Sequence, residues 1–390
     1  MVEGRHMRSP DFVSDWLYLS VDKGRDLLKV PHGLGVVPVL VQVATKPPSG
    51  PNKDFVFNGI GEIPRDDDFD EPYGAVSYLY DKEFVLVTTM SRGNDLHGKA
   101  ILTMNNRYFV GPNSQTSDDC YVQILAWKPT SLPEPDFHVD NISVKSGCSK
   151  GSGFICYYDK SFEHGILMYG FNKTTFRIWT EIQLLNSHYL YYAGDGSGFG
   201  IQVQHGTLEI LAWKEMTLAP TETINLFLGT HAKERFDQEK LMSTETRGHN
   251  YFVQLWATAR SGPNVHYRFL ASGSMASTSD PKISPCTFGG IEFAYSDTAL
   301  RLWKPNNSFN RASIICVPNI FAGGKYSQSS NDAFAVAHVW ITVDHNLHAE
   351  CNTTQDCLDG NSACSNNFTC QCQAGFKEIH REENITVKNK

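Results

Sequence analysis

Residues 122–128 read VQILAWK and residues 208–214 read LEILAWK. The pentapeptide Ile124-Leu125-Ala126-Trp127-Lys128 returns as Ile210-Leu211-Ala212-Trp213-Lys214, and a third version, FAVAHVW, ends at Trp340. Apolar residues alternate with others along each stretch. That period of two marks a strand with one buried face, and no helical period competes with it. Each stretch then closes on tryptophan, a ring that a core takes up as an anchor.

A second anchor precedes each closing strand. YGAVSYLYDKEFVLV begins at Tyr73, HGILMYGFNKTTFRIW at His164 and GGIEFAYSDTALRLW at Gly289. Two alternating runs flank a polar turn at Asp81-Lys82, Asn172-Lys173 or Ser296-Asp297, the pattern of a β-hairpin. Phe176-Arg177-Ile178-Trp179 matches Leu300-Arg301-Leu302-Trp303. VQVATKPPSGPN (41–52) aligns with VQLWATARSGPN (253–264) without a gap, and Ser114-Gln115-Thr116-Ser117 with Ser327-Gln328-Ser329-Ser330. Anchors that recur in one order define internal repeats. The middle copy has no SGPN arm and carries NISVKSGCSKGSGFICYYDKSFE between Asp140 and His164.

The reading is therefore all-β: three tandem antiparallel β-sandwich or jelly-roll repeats at 10–130, 131–217 (shorter, degenerate) and 218–346. A cysteine-rich module follows at 347–376 and a flexible polar tail at 377–390. Residues 1–9 read as an unstructured leader, since Met1-Val2-Glu3-Gly4-Arg5-His6-Met7 resembles a protease site and cloning remnant. PTSLPEPDF is a linker. KERFDQEKLM (233–242) is the best of few helix candidates.

A chain of 390 residues exceeds one ordinary core, and 41% hydrophobic content fills several. The net charge of -8, with signs well mixed, gives no footprint for nucleic acid. No apolar run reaches the roughly 18 residues of a membrane span. Of ten cysteines, five crowd together as Cys351, Cys357, Cys364, Cys370 and Cys372. Such density reads as a disulfide framework and an oxidising compartment. Zinc is the competing reading, but the cluster has no C-x2-C pair and no histidine at ligand spacing. Cys148 with Cys156, and Cys286 with Cys316, are candidate local disulfides; Cys120 is either a buried thiol or an intermolecular link. Asn-x-Ser/Thr acceptors at Asn141, Asn172, Asn306, Asn352, Asn367 and Asn384 agree with secretion.

Residues 351–372 resemble an EGF-like module: Cys370-x-Cys372 followed by Gly375-Phe376 fits that family's fourth and fifth cysteines and closing turn. The resemblance implies the pairs Cys351–Cys364 and Cys357–Cys370. It also calls for a sixth cysteine, which does not appear before Lys390, so the chain is cut within the module or Cys372 is free or pairs elsewhere. The closing strands, and VPVLVQV (37–43) after HGLG, are similar to H-type lectin domains. That resemblance implies six-stranded antiparallel sandwiches that assemble as trimers on N-acetylgalactosamine-type sugars. Three tandem copies would then pack as a pseudo-trimer or as beads on a string.

Candidate chemistry is sparse. Gly147-Cys148-Ser149-Lys150-Gly151 spells G-x-S-x-G without the strand, helix and parallel sheet that a hydrolase elbow needs. Asp66, Asp67, Asp68, Asp70 and Glu71 could gather round calcium or form a solvated acidic loop; no other cofactor is implied. YYAGDGSGFG (191–200) reads as a structural loop whose Tyr191 and Tyr192 could offer an aromatic face to a sugar or protein. Arg177 and Arg301 are expected to face away from the tryptophan-side core, toward a ligand, a cross-strand ion pair or solvent. These residues favour a secreted, glycosylated binding or adhesion protein that meets glycans or other extracellular proteins and that could homo-oligomerise. The alternatives are a structural, self-assembling matrix protein and an enzyme with an unfamiliar site between repeats.

Overall fold

The computed structural model describes residues 7–22, 24–59, 76–89, 99–103, 109–145, 167–180, 190–192, 201–203, 205–229, 239–243, 250–271, 288–305, 312–317, 326–342, 362–364, 370–372, 376–381 and 384–389. It is all-β. The one helical element among the described residues is a single 3-10 turn at Pro129–Ser131. No described helix is long and apolar enough to cross a membrane.

Period-two alternation governs the closing strands. Along Asp119–Trp127, Val122, Ile124 and Ala126 are wholly buried while Tyr121 is exposed. Along Asp332–Thr342, Ala333, Ala335, Ala337 and Val339 are buried and Phe334 is exposed. The terminal tryptophans break the pattern. Trp127 and Trp340 sit on the face opposite these core residues and are buried nonetheless. They meet each other's surroundings in a separate cluster with Met7, Leu132 and Phe252, and Trp213 packs against it. The three tryptophans therefore anchor one shared core and not three private ones.

One latch recurs at each tryptophan. The indole N–H donates to a backbone carbonyl: Trp127 to Arg8 at 2.7 Å, Trp213 to Pro133 at 2.7 Å and Trp340 to Leu218 at 3.3 Å. Three residues past each carbonyl, a side-chain oxygen accepts the N–H that follows the tryptophan: Asp11 from Lys128, Asp136 from Lys214 and Thr221 from Ile341. That carbonyl-to-side-chain spacing marks where each segment begins. Met7 is 1% exposed, so residues 7–9 belong to the fold, although the likeness of the first seven residues to a cloning remnant assigns them to a leader. Burial of Met7 in the tryptophan cluster is the reason.

The hairpins lie between segments. Hairpin one is Val76–Tyr80 with Phe84–Thr89, hairpin two Leu167–Phe171 with Phe176–Thr180, and hairpin three Glu292–Tyr295 with Ala299–Pro305. Hairpin three extends a nine-stranded sheet: Phe12–Val13, Asp119–Trp127, Leu40–Lys46, Val56–Asn58, Glu292–Tyr295, Ala299–Pro305 and Glu239–Leu241, with Leu17–Ser20 and Phe109–Val110 branching from it. Hairpin two extends a six-stranded sheet through Arg268–Leu270, Asn250–Ala259, Asp332–Thr342 and Glu222–Gly229. Among the described residues hairpin one pairs only with Leu27–Pro31, and Phe137–Lys145 pairs with His205–Ala212.

Two readings from sequence change here. Glu239–Leu241, at the end of the helix candidate, is a strand paired with Ala299–Arg301. Phe376–Arg381 and Asn384–Asn389 pair as a hairpin within the stretch expected to be a flexible tail, where alternation through Ile385 and Val387 suits a strand.

Candidate functional site

Arg177 and Arg301 come from hairpins two and three, and each reaches into the SGPN arm of another segment. Arg301 donates to the Pro51 carbonyl at 3.0 Å and to Asn52 Oδ1 at 2.8 Å, and its guanidinium lies 3.8 Å from the Phe55 ring centre. Arg177 donates to the Pro263 carbonyl at 2.7 Å and to Asn264 Oδ1, 4.1 Å from the Tyr267 ring. Asn52 and Asn264 are fully buried. Their other polar atoms are held alike: Gln115 accepts from the Asn52 N–H and Gln328 from the Asn264 N–H, both at 3.0 Å. Gly50 (φ +92°) and Gly262 (φ +80°) turn the arm, and a Cβ on either would press on that glutamine.

The expectation that Arg177 and Arg301 face away from the tryptophans is overturned: residues two apart share a strand face, and beside each arginine its tryptophan enters the same neighbour. Trp303 packs on Phe57 within the core of segment one, and Trp179 on Phe269 within that of segment three. A Cβ on Gly111 would fall on the Trp303 ring, so that slot requires glycine. Arg301 also pairs with Glu239 at 2.6 Å. Every guanidinium contact here is internal, which places both arginines in seams between segments. Hairpin one carries Leu86 and Thr88 at the corresponding positions, counted from its turn, and segment two has no SGPN arm. Both halves of the contact are thus absent from the same seam. There Tyr80 approaches segment two, where partial burial and the Glu209 carboxylate push its phenol upward.

The accessible constellation lies on the closing strands. Tyr121 stands opposite Tyr18, and Phe334 opposite Phe227, in antiparallel register. The rings meet at 6.1 Å and 5.8 Å, and they are 40%, 37%, 47% and 50% exposed for Tyr18, Tyr121, Phe227 and Phe334. A guanidinium accompanies each pair: Arg25 lies 6.0 Å from Tyr18, and Arg260 about midway, 5.0 Å from Phe227 and 4.9 Å from Phe334. A carboxylate completes each face. Asp119 accepts from the Tyr18 hydroxyl at 3.1 Å, and Asp332 from Arg260 at 2.6 Å. At the same place segment two sets Ser143 opposite Thr207, so the faces belong to segments one and three. Exposed rings with a cation, an anion and a phenol beside them can hold a ligand that has both C–H surface and hydroxyls.

The remaining candidates divide by position. Tyr191 and Tyr192 lie in the strand Leu190–Tyr192, paired with Ile201–Val203. Cys316 is disulfide-bonded and buried, and Cys120 is a buried free thiol whose pKa burial pushes up. Ser362–Cys364 pairs with Cys370–Cys372. Asn141 is exposed at an irregularity of its strand, and Asn172 sits at the tip of hairpin two; Asn384 starts a strand. Asp66, Asp67, Asp68, Asp70, Cys148, Cys156, Cys286, Cys351, Cys357, Asn306, Asn352 and Asn367 lie outside the described residues. Among the described residues no group of three or more His, Cys, Asp or Glu could hold a metal.

The sequence does carry a trace of the aromatic faces: Asp119-Cys120-Tyr121 and Asp332-Ala333-Phe334 both stand six residues before the tryptophan, whereas segment two has His205-Gly206-Thr207. No protein-family description, curated protein or solved structure matches the chain.

Proposed function

We propose that this is an extracellular binding protein that recognises glycans through its two aromatic faces. The observation that carries the reading is the recurrence of an exposed ring pair with a guanidinium and a carboxylate on segments one and three. A pyranose presents a C–H face to an aromatic ring and hydroxyls to Arg and Asp, so one face would bind it weakly. Two faces on one chain raise binding to a multivalent surface by roughly 10²–10⁴-fold where the geometry allows both to engage. In this reading the segments are sandwich domains of H-type lectin kind packed as a pseudo-trimer, and an EGF-like module follows them. The Cys316 disulfide supports an oxidising compartment.

Titration of the intact chain with oligosaccharides selected on a glycan array should give two sites per chain. Tyr121→Ala and Phe334→Ala should each remove one site and leave the melting temperature near that of the parent. An array without binders, or a double variant that binds as the parent does, rules the reading out. The exposed apolar rings of Phe227 and Phe334 favour the self-assembly alternative. Light scattering that rises with concentration, and falls on Phe334→Ala, would support it.

A further inference from the structure

We propose that Asn172 carries an N-linked glycan at the tip of hairpin two. The three hairpins turn by one device, in which the first turn residue accepts two backbone N–H groups. Asp81 Oδ1 accepts from Glu83 and Phe84 at 2.7 and 2.8 Å. Asn172 Oδ1 accepts from Thr174 and Thr175, both at 2.9 Å. Ser296 Oγ accepts from Thr298 and Ala299 at 3.2 and 3.1 Å. The turn needs an acceptor oxygen and no more, so Asp, Asn and Ser all serve. Nothing in the turn dictates an amide at 172 together with a hydroxyl at 174. Asn172-Lys173-Thr174 nonetheless supplies both, the pair that an N-glycosylation acceptor requires.

The bonding leaves the reactive atom available. Oδ1 takes the two backbone donors and the hydroxyls of Thr174 and Thr175, at 3.2 and 2.9 Å. Nδ2 has no hydrogen-bond partner among the described residues, and Lys173, Thr174 and Thr175 are exposed. N-glycosylation consumes one proton of Nδ2 and keeps Oδ1 as an acceptor, so the turn survives it. At Asn141, by contrast, φ is +55°. Asn tolerates that left-handed conformation better than most residues, so the backbone itself accounts for the residue.

The donor is an oligosaccharide on a lipid diphosphate, presented by a transferase of the secretory pathway. Nδ2 forms a bond to the anomeric carbon, the anomeric C–O bond to the diphosphate breaks, and the lipid diphosphate leaves with the electron pair. A base of the transferase takes the amide proton. The proposal rests on the extracellular reading above.

The test is secretion of the full chain from a eukaryotic host and mass spectrometry of the Asn172 peptide, before and after glycan release in heavy-oxygen water. Asn172→Asp keeps the turn acceptor, as Asp81 does in hairpin one, and Thr174→Ala keeps the asparagine. The parent peptide should be glycosylated, both variants bare, and Asn172→Asp should melt with the parent once both are enzymatically deglycosylated. A bare Asn172 in a secreted chain whose other acceptors are occupied overturns this proposal alone. A chain retained in the cell with every acceptor bare overturns the extracellular reading, and this proposal with it.

Discussion

Arg301 makes four kinds of contact at once: to a carbonyl, an amide oxygen, an aromatic ring and the Glu239 carboxylate. Its side chain is 15% exposed, so these bonds are shielded from water and worth more than surface pairs. Arg301→Ala should destabilise the chain by about 2–3 kcal/mol, because the buried Asn52 oxygen is left without its donor. Arg301→Lys should recover only part of that, since an ammonium cannot span two acceptors and stack on Phe55. Urea denaturation reads both. A loss below about 0.5 kcal/mol for the alanine variant would mean that the arginine is a surface residue after all. Sequence placed Arg177 and Arg301 in register with their tryptophans but could not name their partners. The Pro51 carbonyl is 250 residues from Arg301, and local patterning carries no information over that distance.

Elements defined by local chemistry were legible, and those defined by a distant partner were not. Each hairpin is announced by alternation around a turn residue with a side-chain acceptor, and all three form. Glu239–Leu241 is polar and short, carries no strand pattern of its own, and becomes a strand only by pairing with Ala299–Arg301. The closing strand of segment three adds something no pattern displays. His338 is 5% exposed and meets Trp340 edge-on, with Glu215 at 3.8 Å. Burial lowers its pKa, Glu215 works in the opposite sense, and Arg268 adds to the lowering. In the unfolded chain the imidazole titrates near its ordinary value of about 6.5. Below that pH the unfolded state binds the proton more readily than the folded state. The contribution of neutral His338 is therefore full above about pH 6.5 and declines as pH falls toward the lowered folded value. The urea midpoint should drop between about pH 7.5 and about pH 5, and less so in His338→Gln. Equal slopes in the two proteins would remove His338 as the cause.

At the scale of the whole molecule the repeats are not independent beads. The core of segment one contains Ala294, Ala299 and Trp303 from hairpin three, and that of segment three contains Trp179 from hairpin two. Tryptophans from all three segments share one cluster. Contacts run head to tail, two into three and three into one, while the seam of one with two lacks both the arginine and the arm. Repetition was visible in the sequence, but the choice between beads and a single body was not, because it depends on which core receives each hairpin tryptophan. Removing that ring leaves a cavity in another segment, so Trp303→Ala should cost about 3–5 kcal/mol and loosen residues 40–58 as well as its own hairpin. Residues 7–130 produced alone lack both the ring and its strand pairing at Val56–Asn58. This fragment should show no cooperative thermal transition and little protection of its amides from exchange. Mixed with residues 131–346 during refolding, it should regain both. A fragment 7–130 that melts cooperatively by itself, at the temperature of the full chain, would show that the segments are separate domains that merely touch.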